Sequence, residues 1–495
     1  FYDMIKWVKF FQRGFSMPTL KSELDMNKKL DEVINKNSKL HFIAIGGIGV
    51  SAVAKIFLQA GYHVSGSDIK ENKNTVMLKE LGAEIFIGHK PQNVQSTDII
   101  IASSAIHPDN PEIIEAKKLN IPIFHRSQAL AYLMSKKTSI GASGTHGKTT
   151  TSGMAAFVLN SLKEGTSFAI GGIIPELKTN AKYGHGEFFV SELDESDGTI
   201  LMYSPDVTIV TNLELDHVDF YTRGFEQLLE TFEKFSSNLK QNSKLVINAD
   251  SEGNRKLLDR IDKNRVIIYT TKENKLNGYE KIYSAQNIKL NGFSSSSEIY
   301  LNNNLIGKLN LNVPGEHNIA NALGVIASLM EKNIKFEDIT SNIIHFSGMG
   351  RRFEIIGDYN GAKIIDDYAH HPTEIKATIK SAQSVLISQG NGRLVVIFQP
   401  HRYSRFEGLW NEFLKAFDGV DKLCICDVYA AGEEPSSKHT PEEFAKQIKN
   451  VPTTHLSGKI NDLTEDVKKM IQPQDIVITM GAGDITNLGR NICQK

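Results

Sequence analysis

The chain has 495 residues, of which 40% are hydrophobic, and this length and composition predict two or more domains with separate buried cores. Lysine and arginine number 56 against 57 aspartates and glutamates, so the formal net charge is -1 and no overall positive field attracts nucleic acid or an anionic membrane. The three cysteines, Cys424, Cys426 and Cys493, argue against a disulfide framework and indicate a reducing compartment.

Residues 1–38 mix aromatics with lysines and lack the continuous apolar segment and the cleavage site of a secretory signal. We expect them to be an N-terminal extension of uncertain order. No later stretch reaches the roughly 18 consecutive apolar residues that predict a membrane span. The sequence therefore predicts a cytoplasmic protein with small-molecule partners, without nucleic acid or membrane.

The first convincing strand, HFIAIG at residues 41–46, runs into a glycine turn and then into a helix with apolar residues at helical spacing. In the turn pattern G-x-G-x-x-A, missing side chains let the backbone approach a phosphate at the helix N-terminus. The next strand, YHVSGSD, ends in an acid that can accept from a ribose hydroxyl. The predicted nucleotide-binding residues of this unit are Gly47, Ile48, Gly49 and Asp68. Taken alone, the unit also fits an NAD(P)-dependent oxidoreductase, or simply a tight turn.

A stronger nucleotide signal is the loop GTHGKTTT, which follows the strand KTSIGAS and leads into a helix. Backbone N–H groups of such a loop surround phosphates, its lysine neutralises the outer oxygens, and its first threonine ligates Mg²⁺. The generic pattern has a glycine five positions before Gly147, where this chain has Ala142. We predict ATP binding by Gly144, Thr145, His146, Gly147, Lys148, Thr149 and Thr150. Hydride transfer has no need of this loop, which weakens the oxidoreductase alternative.

Two acidic clusters follow apolar strands, in FFVSELDESDG and in VTIVTNLELDHVDFY. Their polar residues are Glu192, Asp194, Glu195 and Asp197 in the first, and Glu214, Asp216, His217 and Asp219 in the second. Each cluster taken alone also fits a solvated turn. Because strand ends of a parallel sheet face the ligand crevice, and because both clusters follow a phosphate loop, we predict a shared metal site.

The C-terminal third repeats the alternation of strands and helices, with the strands AKIIDDY, RLVVIFQ, KLCICDV and DIVITM. Residues 272–312 contain short alternating runs and predict antiparallel hairpins on the central domain. The overall prediction is an α/β protein of three domains. A Rossmann-like domain covers residues 39–135, a P-loop ATPase-type domain with a parallel sheet covers 136–345, and a second Rossmann-like domain covers 346–495.

Seven motifs in order resemble the Mur ligase family of peptidoglycan synthesis, from about residue 40 to the C-terminus. They are GTHGKTTT, ELDESDG, TNLELDHVD, VPGEHNIANALG, GMGRRFE, DDYAHHPTE and FQPHRYSR. The resemblance is closest to the members that add L-alanine. It implies a cytoplasmic ligase, monomeric or homodimeric, with ATP and Mg²⁺ as cofactors, that joins L-alanine to the carboxylate of UDP-N-acetylmuramate through an acyl phosphate. A related Mur-type ligase with another amino acid or peptide, and a non-catalytic nucleotide-binding module, are the alternatives.

The resemblance also implies roles for individual residues. Lys148 and Thr149 hold the γ-phosphate and one Mg²⁺, with Glu192 as a ligand of that ion and His217 as a ligand of a second. Asn318 and Asn321 match adenine-contacting residues. The expected catalytic residues are Lys148, Glu192, His217 and Arg351, and the expected metal ligands are Thr149, Glu192 and His217.

The resemblance leaves two neighbouring pairs open. Either Arg351 or Arg352 is expected to meet the transferring phosphate, with Arg351 preferred and Arg352 assigned to ATP binding. Either Asp366 or Asp367 is expected to contact the ribose, with Asp366 preferred. L-Alanine is expected to bind at Tyr368, His370, Arg402 and Arg405, and the first glycine turn is expected to hold the UDP-sugar instead of NAD.

Overall fold

The computed structural model describes residues 24–494 except 27, 164, 218–219, 273–275, 277 and 436–438. Most of the predicted extension 1–38, and Asp219 of the second acidic cluster, therefore lie outside the described residues. Within the part that is described, no helix combines the length and the apolar character that crossing a membrane requires.

The N-terminal unit is a five-stranded parallel sheet in the order β3-β2-β1-β4-β5. Its strands are β1 Lys39–Ile43, β2 His63–Asp68, β3 Glu84–Ile87, β4 Ile99–Ala102 and β5 Ile123–His125; its helices are α1 Ile48–Gln59, α2 Lys73–Glu80, α3 Pro111–Lys118 and α4 Arg126–Ser135. The chain proceeds from β1 in one direction through β2 and β3, then returns to the other side of β1 for β4. The glycine turn between β1 and α1 thus lies where the strand order reverses, which is where open α/β sheets bind ligands.

A buried polar cluster supports this first sheet. The carboxylate of Glu112 on α3 is fully buried and accepts hydrogen bonds from Ser67 Oγ at 2.6 Å and Asn93 Nδ2 at 2.6 Å. His89 Nδ1 lies 3.1 Å and His41 Nε2 3.7 Å from the same carboxylate. Burial alone raises the pKa of Glu112, but the hydrogen bonds outweigh burial and lower the pKa to about 2.

Replacing Glu112 by alanine is expected to lower the free energy of unfolding by about 3–5 kcal/mol, because several buried donors lose their shared acceptor. The folded pKa lies below the ordinary value of 4.5, so the carboxylate's contribution is complete above about pH 4.5 and is lost as the pH falls towards 2. Urea unfolding at pH 7 and at pH 3 measures both effects. Lys118→Ala, at an exposed position of the same helix, should change stability by less than about 0.5 kcal/mol.

The central unit is a ten-stranded sheet in the order β15-β14-β13-β12-β11-β10-β6-β9-β7-β8. Its strands are β6 Thr138–Ser143, β7 Ser167–Ile174, β8 Thr179–Lys182, β9 Phe188–Glu192, β10 Val207–Val210, β11 Lys244–Asn248, β12 Val266–Thr270, β13 Lys281–Asn291, β14 Ser294–Leu301 and β15 Asn304–Leu311. Its helices are α5 Lys148–Leu162, α6 Phe225–Asn238, α7 Glu252–Leu258, α8 Glu316–Glu331 and α9 Phe336–Ile343. The predicted hairpins are confirmed: β13, β14 and β15 pair antiparallel and extend one edge of the sheet.

The C-terminal unit is a six-stranded sheet in the order β16-β17-β21-β18-β19-β20. Its strands are β16 Glu354–Tyr359, β17 Ala362–Asp367, β18 Leu394–Phe398, β19 Lys422–Cys426, β20 Thr453–Leu456 and β21 Ile476–Met480. Its helices are α10 Pro372–Gln389, α11 Tyr403–Gly408, α12 Trp410–Leu414, α13 Pro441–Gln447, α14 Thr464–Lys468 and α15 Ile485–Cys493. The four predicted strands are β17, β18, β19 and β21, whereas the two edge strands β16 and β20 were not predicted.

The fold class is therefore confirmed as α/β. The chain forms three sheets, and helices connect strands within each of them. The predicted domain boundaries fall in the connections between these elements. The short link from α9 to β16 carries GMGRRFE and joins the central sheet to the C-terminal one.

Candidate active site

A cavity of about 580 Å³ lies between the central and C-terminal sheets. Both sheets contribute to its walls, because the phosphate loop and the start of α8 face the start of α10. Its polar lining includes His146, Gly147, Thr150, Asn212, Glu214, Asn318, Asn321, Arg352, Asp367 and Glu374. The cavity therefore brings together residues from five of the seven motifs.

The phosphate loop leaves the end of β6 and enters α5 through two glycines with positive φ, Gly144 at +124° and Gly147 at +83°. A Cβ on Gly144 would lie 2.4 Å from Thr211 Oγ1, so only glycine fits there. Asn212 fixes the loop: its Oδ1 accepts from the His146 N–H at 2.9 Å, and its Nδ2 donates to the His146 carbonyl at 2.9 Å. Ala142 lies inside β6, so the departure from the generic pattern falls in the strand and not in the loop.

The Lys148 ammonium is bound within its own loop. Nζ donates to the carbonyls of Gly144 at 2.6 Å and Thr145 at 3.1 Å, and to Glu195 Oε1 at 2.9 Å. Burial by itself lowers the pKa of Lys148, but the nearby carboxylates, Glu195 foremost, outweigh burial and raise it. The lysine is thus a fixed positive charge at the N-terminus of α5, where a helix already favours anions.

Two of the three predicted metal ligands, Thr149 and Glu192, are in contact. Thr149 Oγ1 donates to Glu192 Oε2 at 2.9 Å, and the same oxygen accepts from the Gly171 N–H at 3.0 Å. A hydroxyl beside a carboxylate is a donor pair that suits Mg²⁺, which keeps several waters as further ligands. His217 has a φ of +53°, and its Nε2 lies 3.7 Å from Asp216 Oδ2. Burial lowers the pKa of His217, which leaves a neutral imidazole able to act as a ligand.

A second group of possible ligands lies at the mouth of the loop. Within the described ranges, only His146, Glu214 and His371 form a group of at least three His, Cys, Asp or Glu residues with ligand atoms within 4.8 Å of one another. Burial lowers the pKa of His146, but Glu214 and Glu374 outweigh burial and raise it to about 9. The imidazolium lies between two carboxylates, with Nδ1 3.3 Å from Glu374 Oε1 and Nε2 3.6 Å from Glu214 Oε2.

Asn318 and Asn321 lie at the start of α8 and are each 7% exposed. Asn318 Nδ2 donates to the Pro314 carbonyl at 2.8 Å, and Asn321 Nδ2 donates to Asn318 Oδ1 at 3.2 Å. A Cβ on Gly147 would lie 3.0 Å from Asn321 Oδ1, so the helix packs directly against the phosphate loop.

The two arginines of GMGRRFE point to different places. Arg351, with a φ of +60°, donates through Nη2 to the carbonyls of Gly481 at 2.8 Å and Gly483 at 3.0 Å. Its Nε lies 3.6 Å from Asp366 Oδ2, and its guanidinium lies 4.8 Å from the centre of the Tyr368 ring. Arg351 is therefore bound within the C-terminal unit.

Arg352 lines the cavity instead. Its guanidinium lies 5.0 Å from the centre of the Tyr368 ring, and Nη1 lies 3.5 Å from Glu374 Oε1. The positive φ at Arg351 turns the chain so that consecutive arginines diverge.

The two aspartates at the end of β17 diverge in the same way. Asp366 is fully buried, accepts from Thr479 Oγ1 at 3.2 Å and Thr486 Oγ1 at 2.5 Å, and is not among the residues that line the cavity. Asp367 lines the cavity and accepts from the Phe353 N–H at 2.7 Å. Successive side chains of a strand face opposite sides, so only one of the pair can face the cavity.

The residues expected to bind L-alanine lie on neighbouring segments. The His370 ring is 5.3 Å from the Tyr368 ring and 5.8 Å from the His401 ring. Arg405 Nη1 lies 3.2 Å from His401 Nδ1, and its Nη2 lies 3.8 Å from Asp216 Oδ1 of the central unit. Burial lowers the pKa of His370 to about 4, so its imidazole is neutral at pH 7.

Arg402 precedes α11 and has a φ of +67°. Its N–H donates to the Tyr429 carbonyl at 2.9 Å, and the Tyr429 ring stacks on His401 with centroids 5.6 Å apart. These contacts hold the start of α11 beside His370.

The sequence matches one family along most of its length. The matching descriptions are "Mur ligase family, catalytic domain" over residues 39–138, "Mur ligase middle domain" over 142–329 and "Mur ligase, glutamate ligase domain" over 351–483. The chain belongs to the Mur ligase family. The resemblance that the seven motifs predicted is confirmed.

Relatives of this Mur ligase are similar over nearly their whole length. Proteins named UDP-N-acetylmuramate--L-alanine ligase are 40% identical over 460 residues in a Geobacter species and 39% identical over 462 residues in Geotalea daltonii, covering 92% and 93% of this chain and 97% and 98% of theirs. The crystal structure of the UDP-N-acetylmuramate-alanine ligase of Thermotoga maritima is 30% identical, with a TM-score of 0.77 over 92% of this chain and 98% of that one. A murein peptide ligase from Psychrobacter arcticus, 21% identical with a TM-score of 0.66, covers 92% of this chain and 98% of its own and shares the fold.

The glycine turn of this Mur ligase differs in detail from the expectation. Asp68 Oδ2 accepts from the Gly46 N–H at 2.9 Å, so the acid is already bound to the turn. Ile48 is 67% exposed. A Cβ on Gly49 would lie 3.3 Å from Arg126 Nη1, so a guanidinium lies against the turn.

Sequence reasoning had missed Arg126, Asn212 and Glu374. Arg126 is the first residue of α4, directly after β5, and its place at a strand end was the available signal. For Glu374, the only sequence signal was its position as the glutamate of a capping box.

Proposed function

We propose that this Mur ligase forms an amide bond between the carboxylate of UDP-N-acetylmuramate and the amino group of L-alanine, with ATP as the phosphoryl donor. The observation that carries the proposal is the cavity between two domains, in which the phosphate loop faces Arg352. The Arg352 guanidinium packs on the Tyr368 ring, which lies beside His370. The names of the relatives, at about 40% identity over nearly the whole chain, support the same substrates.

The proposed roles follow the geometry. The phosphate loop and Lys148 hold the phosphates of ATP, and Asn318 and Asn321 contact the base. We assign the transferring phosphate to Arg352 and not to Arg351, whose guanidinium is bound to two carbonyls. We likewise assign the ribose to Asp367, because Asp366 faces Thr479 and Thr486.

Further assignments concern the substrates. The UDP-sugar is placed at Gly47, Ile48 and Gly49, with Asp68 bracing the turn and Arg126 beside the diphosphate. L-Alanine is placed between Tyr368, His370, Arg402 and Arg405, where a guanidinium pairs with its carboxylate.

Magnesium fits the pair Thr149 and Glu192, with His217 available for a second ion. Bound there, Mg²⁺ neutralises charge on phosphate oxygens. The protein itself supplies the fixed ammonium of Lys148 and the guanidinium of Arg352, both preorganised for charge on a transferring phosphoryl group. The substrate carboxylate takes up the γ-phosphoryl group as ADP leaves, and the acyl phosphate so formed loses inorganic phosphate when the amine attacks and gives up a proton.

We further propose that the enzyme works in the cytoplasm on small molecules, as a monomer or homodimer, with the domain division given by residues 39–135, 136–345 and 346–495. Charge balance and the three free cysteines support this setting.

The decisive test is phosphate release by the purified protein with ATP, Mg²⁺, UDP-N-acetylmuramate and one amino acid at a time. We expect release only when all four are present, with L-alanine the best amine and mass spectrometry detecting the amide product. Release with an added dipeptide or tripeptide but not with L-alanine would transfer the assignment to another Mur-type ligase. Oxidation or reduction of NAD(P)H without phosphate release would contradict it altogether.

Glu192→Gln is expected to weaken Mg²⁺ binding roughly ten-fold or more, because the amide keeps the hydrogen bond from Thr149 but loses the anionic ligand. Displacement of Mn²⁺ by Mg²⁺, followed by electron paramagnetic resonance with ADP present, measures the affinity without turnover. Glu187→Gln is the matched control, because Glu187 precedes the other end of β9 and its side chain is 60% exposed. Equal Mg²⁺ affinity in both variants would remove Glu192 from the metal site.

A further inference from the structure

Glu374 stands at the third position of α10, within the motif DDYAHHPTE, and its side chain is 12% exposed. Its Oε2 accepts from the backbone N–H groups of His370 at 3.1 Å and His371 at 3.4 Å. His371 Nδ1 accepts in turn from the Thr373 N–H, which completes a capping box. Capping alone would make Glu374 an ordinary residue of a helix N-terminus.

The other contacts of the carboxylate exceed what a cap requires. Oε1 lies 3.3 Å from His146 Nδ1 in the phosphate loop and 3.5 Å from Arg352 Nη1 in the link between the domains. Oε2 lies 3.3 Å from His370 Nδ1 beside the proposed L-alanine site. The cationic side chains of His146 and Arg352 therefore converge on one carboxylate. The neutral ring of His370, whose Nδ1 also lies 3.0 Å from the Tyr368 carbonyl, lies against the same group.

The contacts continue on both sides of this group. On the phosphate side, His146 also faces Glu214, whose Oε2 accepts from Thr373 Oγ1 at 2.9 Å across the domain boundary. On the amino-acid side, the His370 ring packs against His401, as described above. The carboxylate thus lies between His146 of the phosphate loop and His370 of the L-alanine residues.

We propose that Glu374 is a positioning residue for the ligase reaction, whose carboxylate holds the phosphate loop, Arg352 and His370 in one fixed arrangement. The inference rests on the proposed function for its substrates. Charge-assisted hydrogen bonds in a buried site fix geometry more strongly than neutral ones, and transfer from ATP to an acid followed by attack of an amine needs both ends of the site aligned. The phosphate loop and Arg352 belong to segments other than the one that carries His370 and Glu374, so the carboxylate can tie them to it.

The test begins with Glu374→Gln, which keeps the shape and the capping acceptor but removes the charge. We expect a folded protein with a lowered unfolding midpoint, because His146 and Arg352 lose their counter-charge. KM values for ATP and for L-alanine should each rise roughly ten-fold and kcat should fall roughly ten-fold. Glu374→Asp keeps a charge suited to a helix N-terminus but is one methylene shorter, and should show the same losses because it cannot reach His146.

Lys380→Gln is the matched control. Lys380 Nζ pairs with Glu316 Oε2 at 2.9 Å across the same two domains, but its side chain is 67% exposed. An exposed ion pair contributes little, so all three kinetic constants should remain within two-fold of wild type.

A double-mutant cycle on ADP binding, measured by calorimetry, separates positioning from capping. If Glu374 acts through His146, Glu374→Gln and His146→Gln each weaken ADP binding roughly ten-fold and the double variant is no weaker than either. A purely structural cap predicts that Glu374→Gln alone leaves ADP binding unchanged, because the capping acceptor is kept, and independent residues predict effects that multiply to roughly a hundred-fold. Either result would overturn the proposal.

The outcomes also distinguish this inference from the proposed function. Wild-type protein that releases no phosphate with UDP-N-acetylmuramate and L-alanine contradicts the function, while the ADP cycle still decides the role of Glu374. Active wild-type protein, together with wild-type constants in both Glu374 variants, contradicts the role of Glu374 alone.

Discussion

Replacing Lys148 by alanine is expected to lower the rate of phosphate release roughly 1,000-fold or more, because the reaction loses the fixed cation nearest the phosphates. UDP-sugar binding should be unchanged, since the glycine turn belongs to a separate sheet. Single-turnover phosphate release and calorimetric titration with UDP-N-acetylmuramate measure the two effects. Turnover of Lys148→Ala at the wild-type rate would remove the loop from the reaction.

The structure adds a second consequence of this change, which concerns stability. Glu195 is 2% exposed, and its Oε2 has no hydrogen-bond partner within the part of the chain that the structure describes. Without the lysine its carboxylate is buried without a cation, which costs about 3–5 kcal/mol. The double variant Lys148→Ala/Glu195→Gln should recover most of that stability but none of the rate, so the pair of variants separates the catalytic loss from the folding loss.

Much of the fold was predictable because short local sequence patterns identify the buried strands and the helices between them. Apolar strands such as DIVITM are buried on both faces of a parallel sheet, and their continuous runs distinguish them from the surrounding helices. The edge strands of the C-terminal sheet were not predicted, because they lack a continuous apolar run. β20 reads TTHL and is buried only at Leu456, so its pairing with β19 depends on tertiary contacts that no local pattern displays.

The sequence predicted which motifs form the site. It did not predict which of two adjacent residues faces the cavity. The phosphate loop is a continuous path of the chain, so its residues were found together. The choices within Arg351–Arg352 and Asp366–Asp367 depend on strand register and on one positive φ, which adjacent letters do not reveal. Contacts between domains, such as His146 with Glu374, join residues far apart in sequence and left no signal beyond a capping box.

Arg351 and Arg352 point in different directions, so substitutions of these two neighbours should have opposite effects on catalysis and stability. Arg352→Ala is expected to lower kcat roughly 100-fold or more, because its guanidinium faces the cavity and can pair with several oxygens of a transferring phosphoryl group. Its effect on stability should be small by comparison, since its guanidinium pairs with Glu374 at 3.5 Å, whereas Arg351 donates hydrogen bonds to two carbonyls.

Arg351→Ala should show the opposite pattern. Two carbonyls and the buried Asp366 lose their cationic partner, so the free energy of unfolding falls by about 2–3 kcal/mol while kcat per folded molecule falls less than ten-fold. Urea unfolding and steady-state kinetics on both variants make the comparison, with kcat corrected for the folded fraction. A large loss of kcat in a stable Arg351→Ala protein, beside a nearly active Arg352→Ala protein, would restore Arg351 to the phosphate and would mean that the link between the domains rearranges during the reaction.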